Sequence, residues 1–116
     1  MTGGSLGAQT LNDSMALALP LFQEKGIQVL WQSGSYYYER FKAHHGERVK
    51  VMAYVDRMDL AYLAADVIVA RAGASTISEL ALIAKPSILI PSPNVTEDHQ
   101  NKNAQAMVDA LSIIHI

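Results

Sequence analysis

Four stretches of this chain carry residue types that could hold a ligand. The first is Gly3-Gly4-Ser5-Leu6-Gly7-Ala8, a glycine-rich turn running into a helical pattern. Glycines permit backbone angles and close approach that a side chain would block. A helix starting near Ala8 would aim its free N–H groups and positive dipole end at the loop, which suits a phosphate or diphosphate. The Ser5 hydroxyl would add a donor. The spacing is GGxxG, not the GxGxxG of dinucleotide sites, and the Gly-Lys-Ser/Thr of a P-loop is missing. A plain strand-to-helix turn is the competing reading.

The second stretch is RAGASTISEL, residues 71–80. Gly73 and Ala74 fall at a strand end, and Ser75, Thr76 and Glu79 open a helix. Thr76 and Glu79 stand three apart and match a capping box, in which hydroxyl and carboxylate satisfy orphan backbone donors. Alternatively the small residues let a ligand near the backbone while Glu79 accepts from two sugar hydroxyls at once. In the third stretch, EDHQNKNA, His99 and Asn103 share a helical face and Gln100 adjoins them. An imidazole and two amides offer the mixed donors and acceptors that uncharged sugar hydroxyls need; a polar first turn facing water is the alternative. In the fourth, AYVDRM, Tyr54 and Val55 close a strand and Met58 follows. They could flank a base, with backbone groups reading its edge, or could simply be core.

Metal chemistry is not expected. His44 and His45 are adjacent and point apart on a helix, His115 is isolated, and no DxD carboxylate pair occurs. No Ser/His/Asp set emerges from spacing, and no cofactor is called for.

The elements that must position these residues alternate in type. Leu11, Met15, Ala18 and Phe22 share a helical face, and IQVLWQ (27–32) is a compact apolar strand. A helix over YYYERFKAHH leads to a β-rich run at 48–55. A short helix from Met58 to Ala65 turns Leu60, Leu63 and Ala64 inward. Strands at 66–70 and 87–91 flank a helix with Ile77, Leu80, Ala81 and Ala84 on one face. Residues 92–99 read as a loop, the last helix carries Ala104, Met107, Val108 and Leu111 inward, and SIIHI ends the chain as a strand. This order implies an α/β fold: a Rossmann-like parallel sheet with helices on both faces. In such sheets ligands bind beyond the carboxyl ends of the strands, where all four stretches fall.

The 116 residues, half of them hydrophobic and 17% charged, suit one globular domain over 1–116. A net charge of -2 without a Lys/Arg cluster argues against nucleic acid. Absence of cysteine excludes disulfides, thiolate zinc sites and a thiol nucleophile. No apolar run approaches the ~20 residues of a membrane span, and no signal peptide is evident.

Order and spacing together carry a resemblance. GGSLGAQTLN, WQSG, AYVDRM, LAADVIVARAGASTISEL, KPSILIPSP and DHQNKNA, covering Gly3 to about Asp109, resemble the carboxyl-terminal domain of the MurG family. The resemblance implies the donor-binding half of a GT-B glycosyltransferase. Such an enzyme is inverting and metal-independent. It moves N-acetylglucosamine from UDP-N-acetylglucosamine to lipid I, making lipid II in peptidoglycan synthesis. Carried over by residue, Gly3, Gly4, Ser5 and Gly7 meet the diphosphate, and Tyr54, Val55 and Met58 line the uracil pocket. Ala74, Ser75 and Thr76 touch phosphate and sugar, Glu79 takes the ribose hydroxyls, and His99, Gln100 and Asn103 read the N-acetylglucosamine. Arg71 fits the pattern without a role. The resemblance places the base, the lipid I site and the membrane-facing patch in an amino-terminal domain outside this sequence. It implies a cytoplasmic position, peripheral on the inner face of the bacterial membrane.

Against the family pattern, the strand before the Gly-rich loop and the carboxyl-terminal end are missing. A fragment is therefore expected, one whose open edge could self-associate by completing the sheet. Two further readings stand beside the transferase: a soluble donor-binding subunit of a split transferase with a membrane partner, and a fragment of a UDP-N-acetylglucosamine epimerase.

Overall fold

The computed structural model describes residues 1–4, 7–92, 102–103 and 105–106, and the backbone of 114–115. Within these, the chain forms two compact units, Met1–Asp56 and Arg57–Ile116.

The first unit contains α1 (Gln9–Glu24), β1 (Val29–Gln32), the single turn α2 (Tyr38–Phe41) continued by a 3₁₀ turn (Lys42–His44), and β2 (Val49–Met52). β1 and β2 pair in parallel, Val29 opposite Val49 and Gln32 opposite Met52. Thr2 bridges Gln32 in parallel, so the chain start lies along β1. Val29, Trp31, Val49 and Val51 put their side chains on one side of this sheet, as the period of two requires. They pack with Met15 and Leu19 of α1 and Phe41 of α2. Leu19, not Ala18, completes the buried stripe of α1, joined by Asn12. Pro20 sits exposed inside α1, so its missing N–H leaves no buried gap. His44 stacks on Trp31, and His45 accepts the Val51 N–H at its Nδ1, 3.1 Å away; both imidazoles serve the scaffold.

The second unit contains α3 (Met58–Ala64), β3 (Ile68–Ala70), α4 (Ala74–Ile83), β4 (Ser87–Leu89) and β5 (Ile114–His115). Lys102, Asn103, Gln105 and Ala106 are helical. β3, β4 and β5 pair in parallel in that order. Tyr62, Ile68, Ala70, Ala72, Leu80 and Leu89 form the core, with Met58, Ala65, Ile77 and Ile83 packed against it.

Two helical faces differ from the sequence reading. Leu60, Leu63 and Ala64 are exposed, and α3 buries the stripe Met58, Tyr62, Ala65 instead. Both stripes have helical spacing, and the one with the aromatic ring removes more area from water. On α4, Ala81 and Ala84 are exposed while Leu80, Ile77 and Ile83 face the core. Ala84 has left the helix: it is the left-handed C-cap, φ 56°. Lys85 just beyond it donates to the Leu63 and Ala65 carbonyls at 3.0 and 2.8 Å, satisfying the end of α3 with a cation.

Candidate functional site

In the first unit the glycine-rich turn is tied down tightly. Gly7 has φ +82°, and a Cβ there would lie 2.3 Å from the Ser33 carbonyl oxygen. Gly4 has φ +88° and open space where a Cβ would stand. The Gly4 N–H donates to Thr2 Oγ1 (3.1 Å) and the Gly7 N–H to the Gly4 carbonyl (3.1 Å). These two donors therefore close the loop itself. α1 begins after Ala8 with no side-chain cap. An anion above this loop would meet the N–H groups of α1's first turn and the dipole's positive end. Ser5 lies outside the described residues.

Beyond β2, which ends at Met52, Tyr54 is 54% exposed and Val55 is buried. Tyr54 is thus not core, and its ring is free to flank a planar group. The Val55 N–H is already engaged, donating to Gln32 Oε1 at 2.8 Å.

In the second unit α4 starts at Ala74, with Gly73 as N-cap and no side-chain cap. This overturns the capping-box reading. Thr76 is the third helical residue, and Glu79 lies one turn further on, out of reach of the helix start. Glu79 turns instead to Tyr62 of α3. Burial raises the Tyr62 hydroxyl's pKa well above its ordinary value, and hydrogen bonding to Glu79 raises it further. The buried Tyr62 hydroxyl and the exposed Glu79 carboxylate thus lie close enough to interact.

Ser75 is exposed and Thr76 half-buried beside the open helix start. Asn103 Nδ2 donates to the Ala72 carbonyl at 3.2 Å, which brings the last helix to the β3–α4 loop. Ala74, Ser75, Thr76 and Asn103 therefore share one end of this unit. Met58 opens α3 and packs half-buried on the core. His99 and Gln100 lie outside the described residues. Among the described residues no cluster of His, Asp and Glu could hold a metal ion.

The glycosyltransferase family 28 C-terminal domain model matches residues 1–116. The chain belongs to this family. A transferase of Flavobacterium psychrophilum is 50% identical over 108 residues, covering 92% of this chain and 29% of its own. One of Cytophaga hutchinsonii is 55% identical over 105 residues, covering 90% and 28%. Both are named UDP-N-acetylglucosamine–N-acetylmuramyl-(pentapeptide) pyrophosphoryl-undecaprenol N-acetylglucosamine transferase. The chain spans about three-tenths of their length. The crystal structure of Acinetobacter baumannii MurG matches with TM-score 0.81 at 30% identity, covering 99% of this chain and 34% of that one. The α/β fold of the carboxyl-terminal GT-B domain is therefore that of this chain.

Within this family 28 domain three polar residues hold the site segments, though their spacing gave them no role. Arg71 donates through Nη1 to the carbonyls of Ile90 (3.1 Å) and Pro91 (2.9 Å), fixing the exit of β4 against that of β3; its partial burial lowers the guanidinium's pKa. Tyr62 is the buried ring beneath Glu79. Gln32 bonds across 23 to 30 residues of sequence. The one signal for it was a polar residue closing an apolar strand, since a buried amide must find partners.

Proposed function

We propose that this chain is the donor-binding part of a glycosyltransferase that moves N-acetylglucosamine from UDP-N-acetylglucosamine to lipid I, giving lipid II. The observation that carries the reading is the identity of about half the residues to transferases whose name states donor, acceptor and group moved. The geometry supports it through two uncapped helix starts, one in each unit, each with small residues before it.

In the reaction the bond from the anomeric carbon to the β-phosphate oxygen breaks, and an acceptor hydroxyl oxygen takes its place. The proton passes to a base outside this sequence, and UDP leaves. Attack from the face opposite UDP inverts the anomeric centre. Negative charge grows on the diphosphate as the bond lengthens. The first-turn N–H groups of α1, which follows the glycine-rich loop, are preorganised donors for that charge, so the leaving group needs no metal. Glu79, steadied by Tyr62, accepts the ribose hydroxyls. Ser5, Ser75 and Thr76 serve phosphate and sugar; His99, Gln100 and Asn103 serve the N-acetylglucosamine. Tyr54, Val55 and Met58 serve the uracil. The lipid acceptor implies action at the inner membrane face, with contact made by the other half of the enzyme.

Calorimetric titration with UDP-N-acetylglucosamine, UDP-glucose, UDP and 2′,3′-dideoxy-UDP tests this. UDP-N-acetylglucosamine should bind best of the sugars. UDP should bind about tenfold or more tightly than its dideoxy analogue, as hydrogen bonds to a charged group imply. Glu79→Ala should erase that difference. If the variant still distinguishes the two, Glu79 does not hold the ribose; if no uridine nucleotide binds, the donor reading falls.

A further inference from the structure

Gln32 is the last residue of β1 and is 3% exposed. Both ends of its carboxamide are in use. Oε1 accepts the Val55 N–H at 2.8 Å; Nε2 donates to Thr2 Oγ1 at 2.9 Å and to the Gly4 carbonyl at 3.0 Å. Thr2 Oγ1 also accepts the Gly4 N–H, and the Gln32 main-chain N–H donates to the Met1 carbonyl at 3.0 Å. The partners fix the amide's orientation: a backbone N–H demands the oxygen, and a backbone carbonyl demands the nitrogen. No other uncharged side chain of this length offers both functions.

We propose that Gln32 is a positioning residue: its carboxamide couples the glycine-rich loop to the backbone at Val55, so that the two segments hold one geometry and loosen together. On the donor reading given above, which this inference extends, one segment faces the diphosphate and the other the base. One buried amide then sets the distance between the two ends of the nucleotide site. Without it, the Val55 N–H and the Gly4 carbonyl lose their partner in a place that water reaches poorly, which is costly.

Gln32→Glu separates this role from simple packing. An ionised carboxylate accepts only, so it keeps the Val55 bond and opposes the Gly4 carbonyl. A protonated carboxyl again donates and accepts. Gln32→Met fills similar volume and does neither. Backbone hydrogen exchange by NMR, expressed as protection relative to the unfolded chain at each pH, reads the coupling. Val29, whose N–H donates to the Arg48 carbonyl at 2.9 Å, serves as internal reference, and emission of the buried Trp31 checks the fold. In Gln32→Glu at neutral pH, Gly4 and Val55 should both lose protection about tenfold or more while Val29 keeps its own. Lowering the pH should restore both, and in Gln32→Met neither should recover. UDP affinity, taken relative to the unsubstituted chain at the same pH, should follow the same pattern.

Thr2→Val provides a milder variant should Gln32→Glu fail to fold. It should loosen Val55, whose N–H bonds to Gln32 and not to Thr2. Unchanged exchange at Val55 and Gly4, a change at only one of them, or identical pH behaviour of the Glu and Met variants would overturn the proposal. Should the unsubstituted chain bind no UDP, the donor reading falls, while the exchange data still decide whether Gln32 couples the two segments.

Discussion

Gly7→Ala should destabilise the first unit by roughly 2–5 kcal/mol, read as a lower thermal midpoint with red-shifted Trp31 emission, and should abolish UDP binding with it. Two penalties add. A side chain at φ +82° sits in the left-handed region, at a cost of about 1–2 kcal/mol. The new methyl would also stand 2.3 Å from the Ser33 carbonyl oxygen and 2.9 Å from Tyr37 Cδ2. The tyrosine ring can shift, but the carbonyl belongs to backbone whose Ser33 N–H is bonded to the Met52 carbonyl at 2.9 Å. Relief must come from moving the loop, and overpacking of this kind adds roughly 1–3 kcal/mol. Gly4→Ala is the matched control. Its φ is +88°, yet nothing lies within 4 Å of the added carbon. It should show the conformational penalty alone, about 1–2 kcal/mol. Equal effects of the two substitutions would mean that the turn does not press on the end of β1.

What the sequence revealed of this arrangement, and what it hid, divides on range. Alternation of apolar runs with helical stripes placed every element in order, because burial is written into neighbours two to four positions apart. AYVDRM and RAGASTISEL fell just past the ends of β2 and β3 for the same reason. Choosing between two stripes was harder. α3 carries both Leu60-Leu63-Ala64 and Met58-Tyr62-Ala65 at helical spacing, and only packing on β3 and α4 decides for the second. The Thr76 and Glu79 spacing matched a capping box, yet the helix begins at Ala74, so the pair sits inside it. Such a motif depends on a boundary that spacing locates poorly.

Long-range polar bonds were hidden altogether. Nothing in WQSG says that its glutamine reaches both Thr2 and Val55, or that its serine offers a carbonyl to α1. Arg71 stands at a strand end like any surface cation, and its partners are two carbonyls 19 and 20 residues away. Hydrophobic patterning therefore dictates which elements exist, whereas buried hydrogen bonds fix how the loops between them are held. On the donor reading proposed above, the loops are the site.

The strongest such bond network predicts its own rupture. Asn12 on α1 is 1% exposed; its Oδ1 accepts the Trp31 Nε1–H at 2.8 Å, and its Nδ2 donates to the Ser33 carbonyl at 3.0 Å. Trp31 and Ser33 are themselves 0% exposed. Asn12→Leu keeps the volume and strands both partners away from water. Each orphaned group costs about 1–3 kcal/mol, so a loss of roughly 2–6 kcal/mol is expected in chemical denaturation. Because Ser33 is the residue on which Gly7 rests, UDP affinity should fall together with stability. A double-mutant cycle isolates the cause. Trp31→Phe removes the indole donor and leaves a gap of its own, but combined with Asn12→Leu it also removes one of the two orphans. The double variant should then be more stable than the two single losses predict, by about 1 kcal/mol or more. Strict additivity would show that α1 is held to β1 by packing alone and that the buried amide is incidental to how the glycine-rich loop is seated.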